Sequence, residues 1–249
     1  MPDLRHVALA LTFLTVLHGT IHSITNHSYL DTSNPLLTAL PHPLHETHYF
    51  ASKLNPLNTV FLKRAWGWTS AAFLAHIITS PPETHRFRRT VQYIIATAAW
   101  LVFTSWFFGP ALLERVIAAS GGVCVLHLPS GAYLPVPEQL CFDRTHISSA
   151  SHPQLFPVPL LLVPEIWKGG VPRLRRGHDV SGHVFLVTLS ILFLTDQLRA
   201  SFASKKPWSP AHRIAVFANG ALLVLWLFAI WITSVYFHSP MEKISGFCE

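Results

Sequence analysis

Residues 214–237 read IAVFANGALLVLWLFAIWITSVYF, 24 residues without one charged side chain. A helix needs about 20 apolar residues to cross the hydrocarbon of a bilayer, so this stretch spans a membrane. Working outward, four further segments have the same character: 7–24, 65–80, 91–113 and 183–198. The segment 183–198 is the weakest, because its uncharged core, 184–195, is short for a span and must use polar residues at its ends. Composition agrees: half of the 249 residues are apolar and only 12% are charged, against about 25% charged in an ordinary soluble domain. The expected fold is all-α, a polytopic membrane helix bundle with five clear spans and a long loop, forming a single membrane-embedded domain over 1–249. Arg5 precedes the first apolar stretch, but no small-x-small cleavage site follows it, so an uncleaved first span is expected.

Lys and Arg in short loops set orientation. The loop after the second span holds His85-Arg86-Phe87-Arg88-Arg89, and the loop after the fourth holds Arg199, Lys205, Lys206 and Arg213. Both are expected in the cytosol. The N-terminus is then cytosolic, the C-terminus lumenal, and segments 25–58 and about 114–182 lumenal. The net charge of +6 reports this loop bias. With no long basic run, a nucleic-acid partner is excluded. The segment 114–182 carries Lys168, Arg173, Arg175 and Arg176 against the trend; either long loops tolerate such charge, or these cations hold an anion. Within it, 155–166 is apolar but contains Pro157, Pro159 and Pro164, which fits an interfacial or re-entrant piece. Cys124 and Cys141 share this loop in what the topology makes an oxidising compartment, so they are either a disulfide or two unrelated thiols. Asn26-His27-Ser28 is the one glycosylation sequon, also lumenal by this topology.

Two of the 16 histidines stand out by their surroundings. His183 closes Gly177-His178-Asp179-Val180-Ser181-Gly182-His183 at the lumenal start of the fourth span. His238 follows the fifth span in Ser234-Val235-Tyr236-Phe237-His238-Ser239-Pro240-Met241-Glu242. Adjacent antiparallel helices bring these two ends together. For His18, His22 and His76, a ring at a helix end satisfied by water is the expected state. A histidine pair facing cations suits phosphoryl transfer: one imidazole attacks phosphorus and the other protonates the leaving oxygen. Glu242, one turn from His238, is placed to orient the attacking ring, and Asp179 is the other carboxylate nearby in sequence. Ser181 and Gly182 let phosphate approach backbone N–H groups at a helix start. Arginines can grip phosphate oxygens bidentately.

Ser-Gly-His followed by a His with an acidic residue four positions on resembles the lipid phosphate phosphatase superfamily. Gly-His-Asp-Val-Ser-Gly-His-Val-Phe at 177–185 and Val-Tyr-Phe-His at 235–238 resemble more closely the fat storage-inducing transmembrane proteins of the endoplasmic reticulum. The segment Asn55-Pro-Leu-Asn58-Thr-Val-Phe-Leu-Lys63-Arg-Ala-Trp66-Gly-Trp68-Thr, the pair Thr104-Ser105 and the two loop cysteines are similar too. The resemblance implies an endoplasmic reticulum fatty acyl-CoA diphosphatase. Such an enzyme yields acyl 4′-phosphopantetheine and adenosine 3′,5′-bisphosphate, supports lipid droplet formation and needs no metal or other cofactor. It implies His183 as general acid and His238 as nucleophile, with fatty acyl-CoA or a related lipid phosphate as the partner, and a sixth hydrophobic segment after His238. The superfamily's Ser-Arg pair before the second histidine is replaced here by Trp231 and Ile232. The phosphate clamp must therefore come from elsewhere, with Lys63, Arg175 and Arg176 as candidates. Two other readings compete. One is a non-catalytic protein that binds diacylglycerol or triacylglycerol and partitions it into droplets. The other is a metal or haem transporter, suggested by histidine count but supported by only one in-span pair, His18 and His22.

Overall fold

A computed structural model describes residues 3–30, 41–81, 84–104, 110–156, 167–204 and 206–248. In chain order the helices and strands are α1 (Leu4–Thr25), α2 (Ala65–Thr79), α3 (Arg86–Thr104), α4 (Leu112–Ala119), β1 (Val123–His127), β2 (Tyr133–Pro135), α5 (Glu138–Phe142), β3 (Arg173–Arg175), α6 (Gly182–Ala203), α7 (Pro210–Tyr236) and α8 (Pro240–Cys248). Two compact units result: one holds α1, α2, most of α3 and α6 to α8, the other residues 102–179.

The first unit is a helix bundle. By length and composition α1, α6 and α7 are able to cross a membrane. The expected second span is a 15-residue α-helix, α2, entered through a π-helical turn at Leu57–Phe61 and a 3-10 turn at Leu62–Arg64. Asn55 starts this run: its Oδ1 accepts the Asn58 N–H at 2.8 Å. The expected third span begins earlier than 91, at Arg86, and its continuation through 105–109, including Ser105, lies outside the described residues. The same holds for 157–166, most of the apolar proline-containing stretch.

The weakest span in sequence is the most enclosed helix. In α6, 67% of the span window is buried, against 28% in α1 and in α7. Surrounded by other helices, α6 can carry Thr188, Ser190, Thr195 and Gln197 on its buried surface, so it needs less apolar character than a helix facing lipid. Beside it, Phe73, Tyr93 and Phe193 stack, with Phe73 4.7 Å from Tyr93 and 5.2 Å from Phe193. On α1, Ala8, Thr12, Val16, Gly19, Thr20 and Ser23 form the buried face, while Leu9, Phe13, Leu14 and Ile21 point outward. Small residues let backbones approach closely. A Cβ on Gly19 would lie 2.6 Å from Ser234 Cβ, so only glycine fits at that crossing.

The second unit is a small sheet of order β2-β1-β3, antiparallel throughout. Val125 pairs with Pro135 on one side and Arg173 on the other. A disulfide joins Cys124 to Cys141 in α5, within a core of Leu126, Leu128, Val136, Ile147 and Phe156. The stretch expected as a loop is thus a structured unit in its own right.

Candidate active site

The short chain between α6 and α7 makes them antiparallel neighbours, so Gly182 and Tyr236 lie at the same end of the bundle. Ser181 is the N-cap of α6: its Oγ accepts the Val184 N–H at 3.4 Å. Gly182 is the first helical residue and His183 the second. His238 lies two residues past α7, with φ of +61°. Left-handed backbone costs an L-residue about 1–2 kcal/mol, so its surroundings must hold it there.

Those surroundings cap the last turn of α7. The final carbonyls of a helix have no partner within it, yet here the last three are met from outside. Lys243 Nζ donates to Ser234 O at 2.7 Å, Ser28 Oγ to Val235 O at 2.8 Å, and the Leu30 N–H to Tyr236 O at 3.0 Å. His42 Nε2 reaches Tyr236 O at 2.9 Å and Ser28 O at 3.1 Å, while its Nδ1 accepts the Leu44 N–H at 3.0 Å. Carbonyls only accept, so Nε2 carries the proton and the ring is neutral. Burial pushes His42 below the usual histidine pKa.

The helix α8 then ties both histidines together. Ser239-Pro240-Met241-Glu242 forms half of a capping box: Glu242 Oε2 accepts the Ser239 N–H at 2.8 Å. The same oxygen is 3.6 Å from His238 Nδ1, a ring nitrogen that is buried and makes no hydrogen bond among the described residues. The Glu242 carbonyl accepts the Ser181 N–H at 3.0 Å. Gly246 packs directly on Ser181, where a Cβ would meet the Ser181 carbonyl oxygen at 2.6 Å. Next to Glu242, Lys243 is fully buried, donating to Ser23 Oγ at 2.8 Å and lying 5.3 Å over the Tyr29 ring. Burial lowers its pKa to about 8, with Glu242 opposing the shift.

His183 interacts electrostatically with both His238 and Lys63. Lys63 is exposed on the 3-10 turn that packs against α6. One end of the bundle therefore gathers His183, His238, Glu242, Ser181, Gly182 and Lys63. Arg175, in β3, Arg176, with φ of +63°, and Asp179 belong to the second unit. Among the described residues no cluster of three or more metal-ligating side chains occurs. The contributions of His42, Lys243 and Gly246 are not evident in the sequence; only the Ser-x-x-Glu spacing at 239–242 signals that a helix starts there. His76, expected at a wetted helix end, is instead fully buried.

Fold and site together define an integral membrane protein with a paired-histidine centre at one end of its helix bundle. The chain belongs to the fat storage-inducing transmembrane protein family, whose model matches residues 46–221 and 208–249. The acyl-coenzyme A diphosphatase fit1 of Schizosaccharomyces pombe is 31% identical over 202 residues, covering 81% of this chain and 69% of its own length. The acyl-coenzyme A diphosphatase FITM2 of Sus scrofa is 28% identical over 214 residues, covering 82% of this chain and 69% of its own. Its Homo sapiens counterpart is 27% identical over 213 residues, with the same two coverages. No solved structure matches the chain.

Proposed function

We propose that this protein is a fatty acyl-CoA diphosphatase of the endoplasmic reticulum membrane, with its histidine pair facing the lumen and its activity supporting lipid droplet formation. The observation that carries this reading is the convergence of His183, His238, Glu242 and Lys63 on one end of the bundle. Acyl-coenzyme A diphosphatases among its relatives support the substrate.

In this mechanism the Nδ1–H of His238 points to Glu242, leaving the Nε2 lone pair to attack phosphorus. A P–N bond forms, the bridging P–O bond breaks, and His183 protonates the departing phosphate oxygen. The now neutral His183 takes a proton from water, which cleaves the phosphohistidine. The net change adds one water to acyl-CoA and gives acyl 4′-phosphopantetheine and adenosine 3′,5′-bisphosphate. Lys63 offsets charge building on the phosphate oxygens. Ser181 and Gly182 offer the start of α6 to the anion.

The test is hydrolysis of oleoyl-CoA by purified protein beside His183→Ala and His238→Ala, with products followed by mass spectrometry. Acyl phosphopantetheine from the wild type and none from either variant is the expected result. A folded wild type that turns over neither acyl-CoA nor phosphatidate would leave neutral-lipid partitioning as the function.

A further inference from the structure

The opposite end of α6 carries a second polar site. There a cavity of about 270 Å³ is lined by His85, Arg88, Arg89, Gln92, Asp196 and Arg199, among others. At about 1.5 Å of rise per residue, the α6 positions lining it lie roughly 20–30 Å from His183, close to the thickness of bilayer hydrocarbon. It is therefore a separate site at the other membrane boundary.

Its charge is unbalanced. Among the described lining residues three guanidiniums face one carboxylate, and that carboxylate is occupied: Asp196 lies 3.0 Å from Arg199 and its Oδ2 accepts from Gln92 at 2.9 Å. Asp3 reaches Arg199 only at 3.9 Å and is held by Arg5 at 2.7 Å.

Arg89 is the decisive residue. It is 4% exposed, and its hydrogen bonds all go to neutral groups. Nε donates to Gln197 Oε1 at 2.8 Å, Nη1 to Ser80 Oγ at 3.0 Å and Thr84 Oγ1 at 3.3 Å, and Nη2 to His76 Nδ1 at 2.9 Å. His76 accepts at Nδ1, so its Nε2–H donates to Ser201 Oγ at 2.7 Å. The Ser201 hydroxyl donates in turn to His212 Nε2 at 2.9 Å. This chain fixes the guanidinium plane, and among the described residues no carboxylate hydrogen-bonds to it. A guanidinium has five N–H groups; four are used, and one Nη2–H remains. Asp196 is the one described carboxylate that acts on this buried charge, and it is already held by Arg199 and Gln92. The site is therefore short of negative charge, and a guanidinium N–H donates strongly to a phosphate oxygen.

We propose that this cavity binds a phosphate monoester at the membrane boundary opposite the histidine pair, with Arg89 and Arg88 gripping its oxygens and Arg199 closing one side. Basic pockets between helices at that depth suit anionic lipid headgroups, and a soluble phosphate monoester offers the same chemistry.

The experiment uses the full chain carrying His183→Ala and His238→Ala, so nothing is hydrolysed, in phosphatidylcholine nanodiscs. Phosphatidate is titrated into the discs, or glycerol 3-phosphate into solution, and thermal unfolding is recorded. A rise in Tm with phosphatidate at far lower concentration than with glycerol 3-phosphate identifies a lipid headgroup; comparable potency identifies a soluble ligand. In either case Arg88→Gln, a change at an exposed position, should weaken half-saturation at least ten-fold, and Lys63→Gln, at the distant histidine end, should leave it unchanged. The proposal is overturned if neither compound raises Tm, or if the rise survives Arg88→Gln and Arg199→Gln. Loss of the rise in Lys63→Gln alone overturns it too, by placing the phosphate at the histidines.

Discussion

The backbone N–H of Ser181 donates to the carbonyl of Glu242 across 3.0 Å. Ser181 caps the helix that carries His183, and Glu242 caps the helix that begins just after His238. One hydrogen bond thus joins the local frames of both imidazoles, and the geometry of the pair depends on how closely α8 sits against the start of α6.

Gly246 sets that closeness. A methyl group there would sit 2.6 Å from Ser181 O and 3.2 Å from Ser181 Cβ, so Gly246→Ala must push the two segments apart. Displacements of about 1 Å at a reacting centre cost on the order of 100-fold. Gly246→Ala is expected to lower kcat for oleoyl-CoA ten- to one-hundred-fold while the spanning helices still unfold cooperatively. An unchanged kcat would show that the Ser181 contact does not position the histidines.

Glu242 caps α8 and, in the proposed mechanism, orients His238, and substitution can separate the two. Glu242→Gln keeps an oxygen to accept the Ser239 N–H but removes the charge 3.6 Å from His238 Nδ1. Turnover should fall about ten-fold or more with Tm nearly unchanged. Glu242→Ala removes the cap too, at about 1 kcal/mol, and should lower both. Equal turnover in Glu242→Gln and wild type would leave the carboxylate as a helix cap alone.

Gly19 tests the packing of α1 on α7. Gly19→Ala drives a Cβ to 2.6 Å from Ser234 Cβ and 3.2 Å from the Trp231 carbonyl. Overpacking of this kind costs about 1–3 kcal/mol, read as a lower midpoint in detergent unfolding. Gly67 is the control, since a methyl group added there would have nothing within 4 Å: Gly67→Ala should not destabilise.

Lys243 predicts a pH dependence. Its pKa is about 8 in the folded protein against 10.5 for an unperturbed lysine. The unfolded chain therefore holds more protons between these values, and stability rises with pH across that window. Below pH 8 the cost of the buried ammonium is fully present. Unfolding followed from pH 7.5 to 10 should show a rising contribution in the wild type that Lys243→Met lacks. Parallel curves for the two proteins would rule out Lys243 as its source.

Much of this was legible in sequence because it rests on patterns. The apolar run at 214–237 and the Ser-Gly-His and Tyr-Phe-His motifs belong to single segments, and antiparallel pairing is enough to bring His183 and His238 together. The central place of α6 was not legible, since a helix buried among others loses the apolar excess that marks a lipid-facing span. Nor were the partners of Arg89 and Lys243, which come from residues distant in sequence: Arg89 bonds Gln197, and Lys243 bonds Ser23. The sheet at 123–175 was hidden because strands of three to five residues are too short for alternation to show.

The capping of α7 has a consequence for biosynthesis. Ser28, Leu30 and His42 close the last turn from segments made long before it, and Lys243 closes it from a segment made after it. Until residues 240–248 have followed α7 out of the ribosome, the turn bearing His238 lacks the Lys243 lock. Closure of the histidine end is thus a late step of folding that waits on the docking of α8 against Ser181.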